Sequence, residues 1–143
     1  KAVAAEITGI IQYTNQHEKA NLLVLRKKEM PLEVITEANK AKVVSEMLKG
    51  IFKQEMEHLE KISERIYLVE GETTINPDPL PQIGKTTEDI LKLDHEAENY
   101  AIMLYRKIIS EALKNGDTTT RHLFEEIILQ EEEHYWKFDD FLK

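Results

Sequence analysis

The chain has 143 residues, 27 acidic and 19 basic, for a net charge of −8, and it contains no cysteine. Without Cys, disulfides, thiolate catalysis and Cys-bound zinc or iron–sulfur clusters are excluded. The acidic balance argues against nucleic acid as a partner, which needs a basic face for the phosphates. The length suits a single domain, residues 1–143, with a sizeable core. Five Gly and four Pro in a Glu- and Lys-rich chain fit an all-α protein. The longest apolar runs are too short for a transmembrane helix, so no membrane partner is expected and a cytoplasmic location is the default.

Four amphipathic helices are predicted. The first covers residues 2–28, with Val3, Glu6, Ile10, Tyr13, His17, Ala20 and Val24 on one face. Met30-Pro31 ends it. The second runs from the mid-thirties to Glu70, with Gly71 as its stop; residues 32–39 are open to a second reading as a separate short helix. Residues 72–85 hold three Pro and a Gly and read as a loop. Thr86-x-x-Asp89 resembles a capping box for the third helix, which ends at Asn115-Gly116. Asp117 can cap the fourth, which runs to the C-terminus.

Each helix carries an intruder on its apolar stripe. The second reads Val44, Leu48, Ile51, Glu55, His58, Ile62, Ile66, Val69, so Glu55-x-x-His58 takes two core positions. The fourth repeats the pattern with Phe124, Ile127, Glu131, His134, Phe138, Phe141. The third reads Leu91, Asp94, Glu98, Ala101, Tyr105, Ile108, Ala112, and the first contributes Glu6. With 21 Glu and five His in the chain, about 0.7 Glu-x-x-His matches are expected by chance, so the count alone is weak and the placement carries the argument. A buried carboxylate or imidazole without a partner is costly. A cation is the simplest common partner for all of them.

The intruders share a level. Glu6 lies almost as far before Pro31 as Glu55 lies after it, so both sit at one depth of an antiparallel hairpin. Glu98 lies as far before Gly116 as His134 lies after it, with Glu131 nearer by one turn. The loop from Glu72 to Lys85 spans roughly 45 Å when extended, enough to run the bundle's length and make the second and third helices parallel. A short hop across one end is the alternative that depth arithmetic leaves open.

Four carboxylates and two imidazoles, Glu6, Glu55, His58, Glu98, Glu131 and His134, balance two divalent ions and suit iron or manganese, with zinc a further option. A Glu from each of two helices with Glu-x-x-His from the other two is the arrangement of di-iron carboxylate bundles. The stretches Glu6-Ile-Thr-Gly-Ile-Ile-Gln-Tyr13, Glu55-Met-Glu-His58, Leu93-Asp-His-Glu-Ala-Glu98 and Glu131-Glu-Glu-His134 carry a further likeness. In them the sequence resembles the ferritin-like superfamily, and the bacterioferritins most closely. The resemblance implies an antiparallel four-helix bundle with a long crossover between the second and third helices. It implies that Glu55 and Glu131 bridge two irons, that Glu6 and His58 complete one shell, and that Glu98 and His134 complete the other.

The implied activity is a ferroxidase: oxidation of ferrous iron by dioxygen or peroxide in iron handling and oxidative-stress protection. Tyr13 matches a tyrosine near the bacterioferritin centre, where it could supply or relay an electron; a core Tyr with a satisfied hydroxyl is the structural alternative. Met56 matches the methionine through which bacterioferritin dimers hold haem b, although a Met at a helix–helix interface is commoner. Asp94 could orient a metal-bound His or pair with Lys or Arg. His17 is read as a core or interface residue; His95 and His122 have no ligand spacing.

Two departures from the bacterioferritin pattern stand out. The separation of Glu6 from Glu55 is about four helical turns longer than in that pattern. The chain also stops shortly after His134, where bacterioferritins continue into a fifth helix. A homodimer or a smaller cage is therefore expected before a large storage shell. A rubrerythrin-like peroxidase or other di-iron oxidase is the nearest alternative function, and a non-catalytic metal-binding helical scaffold the more distant one.

Overall fold

In a computed structural model, the chain is described over residues 1–25 and 32–143, the side chains of residues 32–35 excepted. Four α-helices make up the fold, and no strand occurs among the described residues: α1 Ala2–Leu25, α2 Leu32–Leu68, α3 Thr87–Lys114 and α4 Thr118–Leu142. Helix α2 is continuous from Leu32, so the reading of residues 32–39 as a separate helix is not realised. The Met30-Pro31 break and the end of the first predicted helix at Lys28 lie outside the described residues.

The helix ends follow local chemistry. Thr86 caps α3 with both halves of the capping box: its side chain accepts from the Asp89 amide, and the Asp89 carboxylate accepts from the Thr86 amide. Asp117 caps α4 by accepting from the Thr120 amide at 3.0 Å. Gly116, with φ 69°, takes the left-handed residue between α3 and α4. At the end of α2 the expectation needs correction. Glu70, with φ 61°, takes the left-handed position, not Gly71. The amide of Gly71 then bonds back to the Ile66 carbonyl at 2.8 Å and that of Glu70 to Tyr67 at 3.0 Å. Gly71 is needed for a different reason: a Cβ there would stand 2.9 Å from Ile66 Cγ2.

Helices α1 and α2 pair along their lengths, as do α3 and α4, and α1 also packs on α3 and α2 on α4. Ala20 and Ala41, both fully buried, are small residues within the first pair. The segment between α2 and α3 is the crossover. It runs beside α1: the Asp78 amide bonds to the Ala4 carbonyl, Thr8 to the Pro79 carbonyl, and the Gln82 amide to Gln12 Oε1 at 2.8 Å. Gln16 Nε2 closes the series on the Gln82 carbonyl at 3.0 Å. The partners run from Ala4 to Gln16, so this seam alone travels roughly 18 Å along the bundle. Helices α2 and α3 are therefore parallel, and the short hop is excluded.

Two apolar clusters result. One contains Tyr13, Val44, Leu48, Ile51, Ile90, Leu91 and Phe138. The other contains Ala2, Val3, Ile62, Tyr105, Phe124 and Ile127. The start of α2 thus meets the start of α3, and the ends of both meet likewise. The part of α1 from Glu6 to Leu25 is longer than the facing part of α3 from Thr87 to Glu98. The α1–α2 pair therefore extends roughly 12 Å, about two turns, past the other pair. This extension, counted once in each helix, accounts for the long spacing between Glu6 and Glu55.

The end of α2 gives a test. Glu70→Gly removes a side chain from a left-handed backbone and is expected to raise stability by about 1 kcal/mol in urea denaturation. Gly71→Ala is expected to lower it, because the added Cβ meets Ile66.

Candidate metal centre

Between the two apolar clusters lies a layer of ionisable groups. Glu6, Glu55, His58, Glu98, Glu131 and His134 are all 5% exposed or less. Their positions follow from the stripes: each stands where a Leu or Ile would otherwise face the bundle axis. Two overlapping groups form. Glu6, Glu55, His58 and Glu131 offer ligand atoms that all lie within 4.8 Å of one another, as do Glu55, Glu98, Glu131 and His134. All six expected residues are thus brought together, and Glu55 and Glu131 belong to both groups.

The distances show how tight the layer is. His58 Nδ1 stands 3.1 Å from Glu131 Oε1 and 3.7 Å from Glu6 Oε2. His134 Nδ1 stands 3.2 Å from Glu55 Oε1, 3.3 Å from Glu131 Oε2 and 3.5 Å from Glu98 Oε1. No Lys or Arg reaches any of the four carboxylates among the described residues. Glu6 Oε2, Glu55 Oε1, both oxygens of Glu131 and Nδ1 of both histidines are buried without a hydrogen-bond partner. Buried polar atoms are normally paired, and these unpaired atoms point into one space. The donor set of carboxylate oxygens and imidazole nitrogens fits hard-to-borderline divalent cations.

The outward-facing atoms are satisfied. His58 Nε2 lies 2.7 Å from Gln130 Oε1, and His134 Nε2 lies 2.9 Å from Gln54 Oε1. An amide oxygen can only accept, so each imidazole carries a proton on Nε2 and turns Nδ1 inward, where it meets the carboxylates and, once deprotonated, could hold a cation. The phenol of Tyr13 donates to Glu98 Oε1 at 2.7 Å, and the phenol of Tyr105 donates to Glu6 Oε1. Gly9 lets α1 approach α2 here, since a Cβ on it would stand 3.2 Å from Glu55 Oε2.

Gln54, Gln130 and Tyr105 were not singled out from the sequence. A signal was present: Gln-Glu-x-Glu-His occurs at 54–58 and at 130–134, and Glu-x6-Tyr at 6–13 and at 98–105. Of the remaining expected residues, Tyr13 is buried at the centre, whereas Met56 is 52% exposed and outside it. Asp94 meets neither His nor Lys nor Arg among the described residues: its Oδ1 accepts from Gln12 Nε2 at 2.9 Å, and burial pushes its carboxyl well up. His17 lies in the α1–α2 interface with Nδ1 2.7 Å from the Ser45 carbonyl. His95 stacks on Tyr135, and His122 is exposed beside Glu126.

Without a cation the charges rearrange among themselves. Burial pushes the Glu55 carboxyl well up, and the charges of Glu131, Glu6 and Glu98 add to it. Burial likewise raises Glu98, with the Glu131 charge adding, to about 8. Burial would lift Glu131 too, but the His134 and His58 imidazoles, 3.3 and 3.1 Å from its oxygens, hold it down at about 2. Burial lowers both imidazoles, yet the close carboxylates, Glu131 with Glu6 for His58 and Glu131 with Glu98 for His134, outweigh it. His58 rises to about 11 and His134 to about 9.

The direction of the pH dependence of metal-free stability follows. The histidines bind protons more tightly folded than unfolded, so their contribution is full below 6.5 and is lost as pH rises through about 9 and 11. The Glu98 contribution is full below 4.5 and lost as pH rises through about 8. Within the layer Glu131 opposes, losing its contribution as pH falls from 4.5 towards about 2. Metal-free protein is expected to melt at steadily lower temperature between pH 5 and pH 9. Added zinc, which needs deprotonated ligands, should raise the midpoint more at the alkaline end. A melting temperature independent of pH over that range would contradict the charged layer.

The ferritin-like domain family matches residues 1–143 of the chain. The bacterioferritin of Desulfovibrio desulfuricans is 28% identical over 140 residues, covering 98% of this chain and 69% of that protein. The bacterioferritin of Rhodobacter capsulatus is 35% identical over 82 residues, and that of Brucella melitensis biotype 1 is 30% identical over 81. Each of these two matches covers 57% of this chain and 50% of the relative. Bundle, crossover and the match along the whole chain agree: the chain belongs to the ferritin-like domain family.

Proposed function

We propose that the protein binds two ferrous ions at this layer and oxidises them with dioxygen or peroxide. The observation that carries the reading is the overlap of the two cation-sized groups at Glu55 and Glu131. Carboxylates common to both groups can each give one oxygen to either ion, holding the pair at the separation of roughly 3.5–4 Å usual for two-metal sites. Glu6 and His58 complete one shell, Glu98 and His134 the other. Four carboxylate charges balance two divalent ions, so ferrous iron enters without leaving net charge in a buried site. Gln54 and Gln130 hold both imidazoles with Nε2–H outward and Nδ1 aimed at the ions, and Tyr13 could pass an electron and its proton towards the Glu98 side.

The names of the bacterioferritin relatives support iron over zinc or manganese. The haem reading at Met56 would place the group at the surface, away from the centre. A rubrerythrin-like peroxidase on the same bundle would use the same six ligands and differ in oxidant.

Single-turnover mixing of two ferrous ions per chain with dioxygen or peroxide tests the proposal. Wild type should oxidise iron rapidly. Glu55→Ala or Glu131→Ala should abolish the rapid phase, since each removes a ligand from both ions. Unchanged kinetics in either variant would refute the bridging role.

A further inference from the structure

The centre has an internal two-fold relation that extends beyond its six proposed ligands. Helices α1 and α3 each carry Glu-x6-Tyr, and α2 and α4 each carry Gln-Glu-x-Glu-His. The supporting contacts cross between halves. Gln54 meets the His of α4, and Gln130 meets the His of α2. Tyr13 of α1 donates to Glu98 of α3, and Tyr105 of α3 donates to Glu6 of α1. Tyr105 thus stands to one half of the centre as Tyr13 stands to the other. Both phenols are buried, 2% exposed or less, and neither hydroxyl faces solvent.

A small cavity sits over this arrangement, between α1, α3 and the crossover. Its volume is about 20 Å³, and Tyr13, Tyr105, Glu55, Glu98, Gly9 and Pro79 are among its lining residues. That is room for one water-sized molecule, which also admits a diatomic gas. A dioxygen lodged there would touch the ion pair's carboxylates with a tyrosine on each side.

We propose that Tyr105 is a second electron donor paired with Tyr13, so that the protein and two ferrous ions together reduce one dioxygen fully to water. The inference rests on the ferroxidase reading and deepens it. Two ferrous ions give two electrons, and two phenols give two more. The balance is one dioxygen, two ferrous ions, two phenols and two protons, yielding two ferric ions, two phenoxyl radicals and two waters. As each phenol loses its electron, its O–H bond breaks. The proton moves along the existing hydrogen bond, from Tyr105 to Glu6 and from Tyr13 to Glu98, and on to the reduced oxygen. The remaining two protons come from solvent. With the phenols absent, only two electrons are at hand and the product is hydrogen peroxide.

The test loads the full chain with two ferrous ions, mixes it with dioxygen, and reads two signals. Rapid-freeze electron paramagnetic resonance counts tyrosyl radicals, and a peroxidase-coupled assay counts released peroxide. Wild type should form radicals whose spectrum narrows with ring-deuterated tyrosine, and should release little peroxide. Tyr105→Phe and Tyr13→Phe should each halve the radical yield. The double variant should form none and release one peroxide for every two ferrous ions oxidised. Spin counting on wild type needs no variant: two radicals per centre are expected, and one or none overturns the proposal. Iron oxidation in Tyr105→Phe with wild-type radical and peroxide yields would also overturn it, leaving ferroxidase activity intact. Failure of wild type itself to oxidise iron would remove both readings.

Discussion

Four carboxylates lie in the middle of this bundle with no Lys or Arg side chain to meet them among the described residues. Burial of that kind is tolerated when protons or cations neutralise the charge. Two histidines take up part of the balance, but their inward nitrogens and the facing carboxylate oxygens converge on common ground, and most of these atoms lack a hydrogen-bond partner. The rest of the molecule can be understood as the frame that keeps these atoms at one depth. Apolar clusters close the layer above and below, so the charges face one another and not water. The amides of Gln54 and Gln130 and the phenols of Tyr13 and Tyr105 fix the outer atoms, leaving the inner ones no other partner.

The crossover is what allows four helices to contribute. Parallel α2 and α3 place the ends of the two hairpins together, and antiparallel α1 and α3 bring Glu6 beside Tyr105 and Glu98 beside Tyr13. Hydrogen bonds to Ala4 and Gln12 and from Thr8 and Gln16 pin the crossover to α1, so the register of α3 is tied to the helix it must match. The α1–α2 extension lies beyond this level and leaves the centre's geometry unchanged. Because both helices run into the extension together, Glu6 and Glu55 keep one depth.

Much of this was legible because helical periodicity reports burial directly. An acidic or His residue at a stripe position contradicts its surroundings, and Glu55, His58, Glu131, His134, Glu98 and Glu6 all announced themselves in that way. Residues just off the stripe did not. Gln54 and Gln130 flank the core, where a polar side chain is ordinary, and their importance lies in what they reach on a facing helix. Tyr105 fits an apolar stripe as one more aromatic, so its hydroxyl partner was hidden. Asp94 was legible as buried but not in its partner, because Gln12 is a common surface residue type. At Glu70 the expectation failed for a local reason: the glycine was needed one position later, for close approach to Ile66, and a longer side chain took the left-handed turn. Loop length alone permitted two paths; the resemblance implied the long crossover, and its contacts with α1 bear that out.

Everything proposed for the centre depends on Glu55 and Glu131 being common to two metal ions. Crystals of the protein loaded with ferrous iron without oxygen, measured at and below the iron absorption edge, address this most directly. Two anomalous peaks are expected in the layer, roughly 3.5–4 Å apart, with Glu55 and Glu131 between them and one histidine beside each. A single peak on one side of Glu131, or iron held elsewhere with the layer still closed on itself, would contradict it.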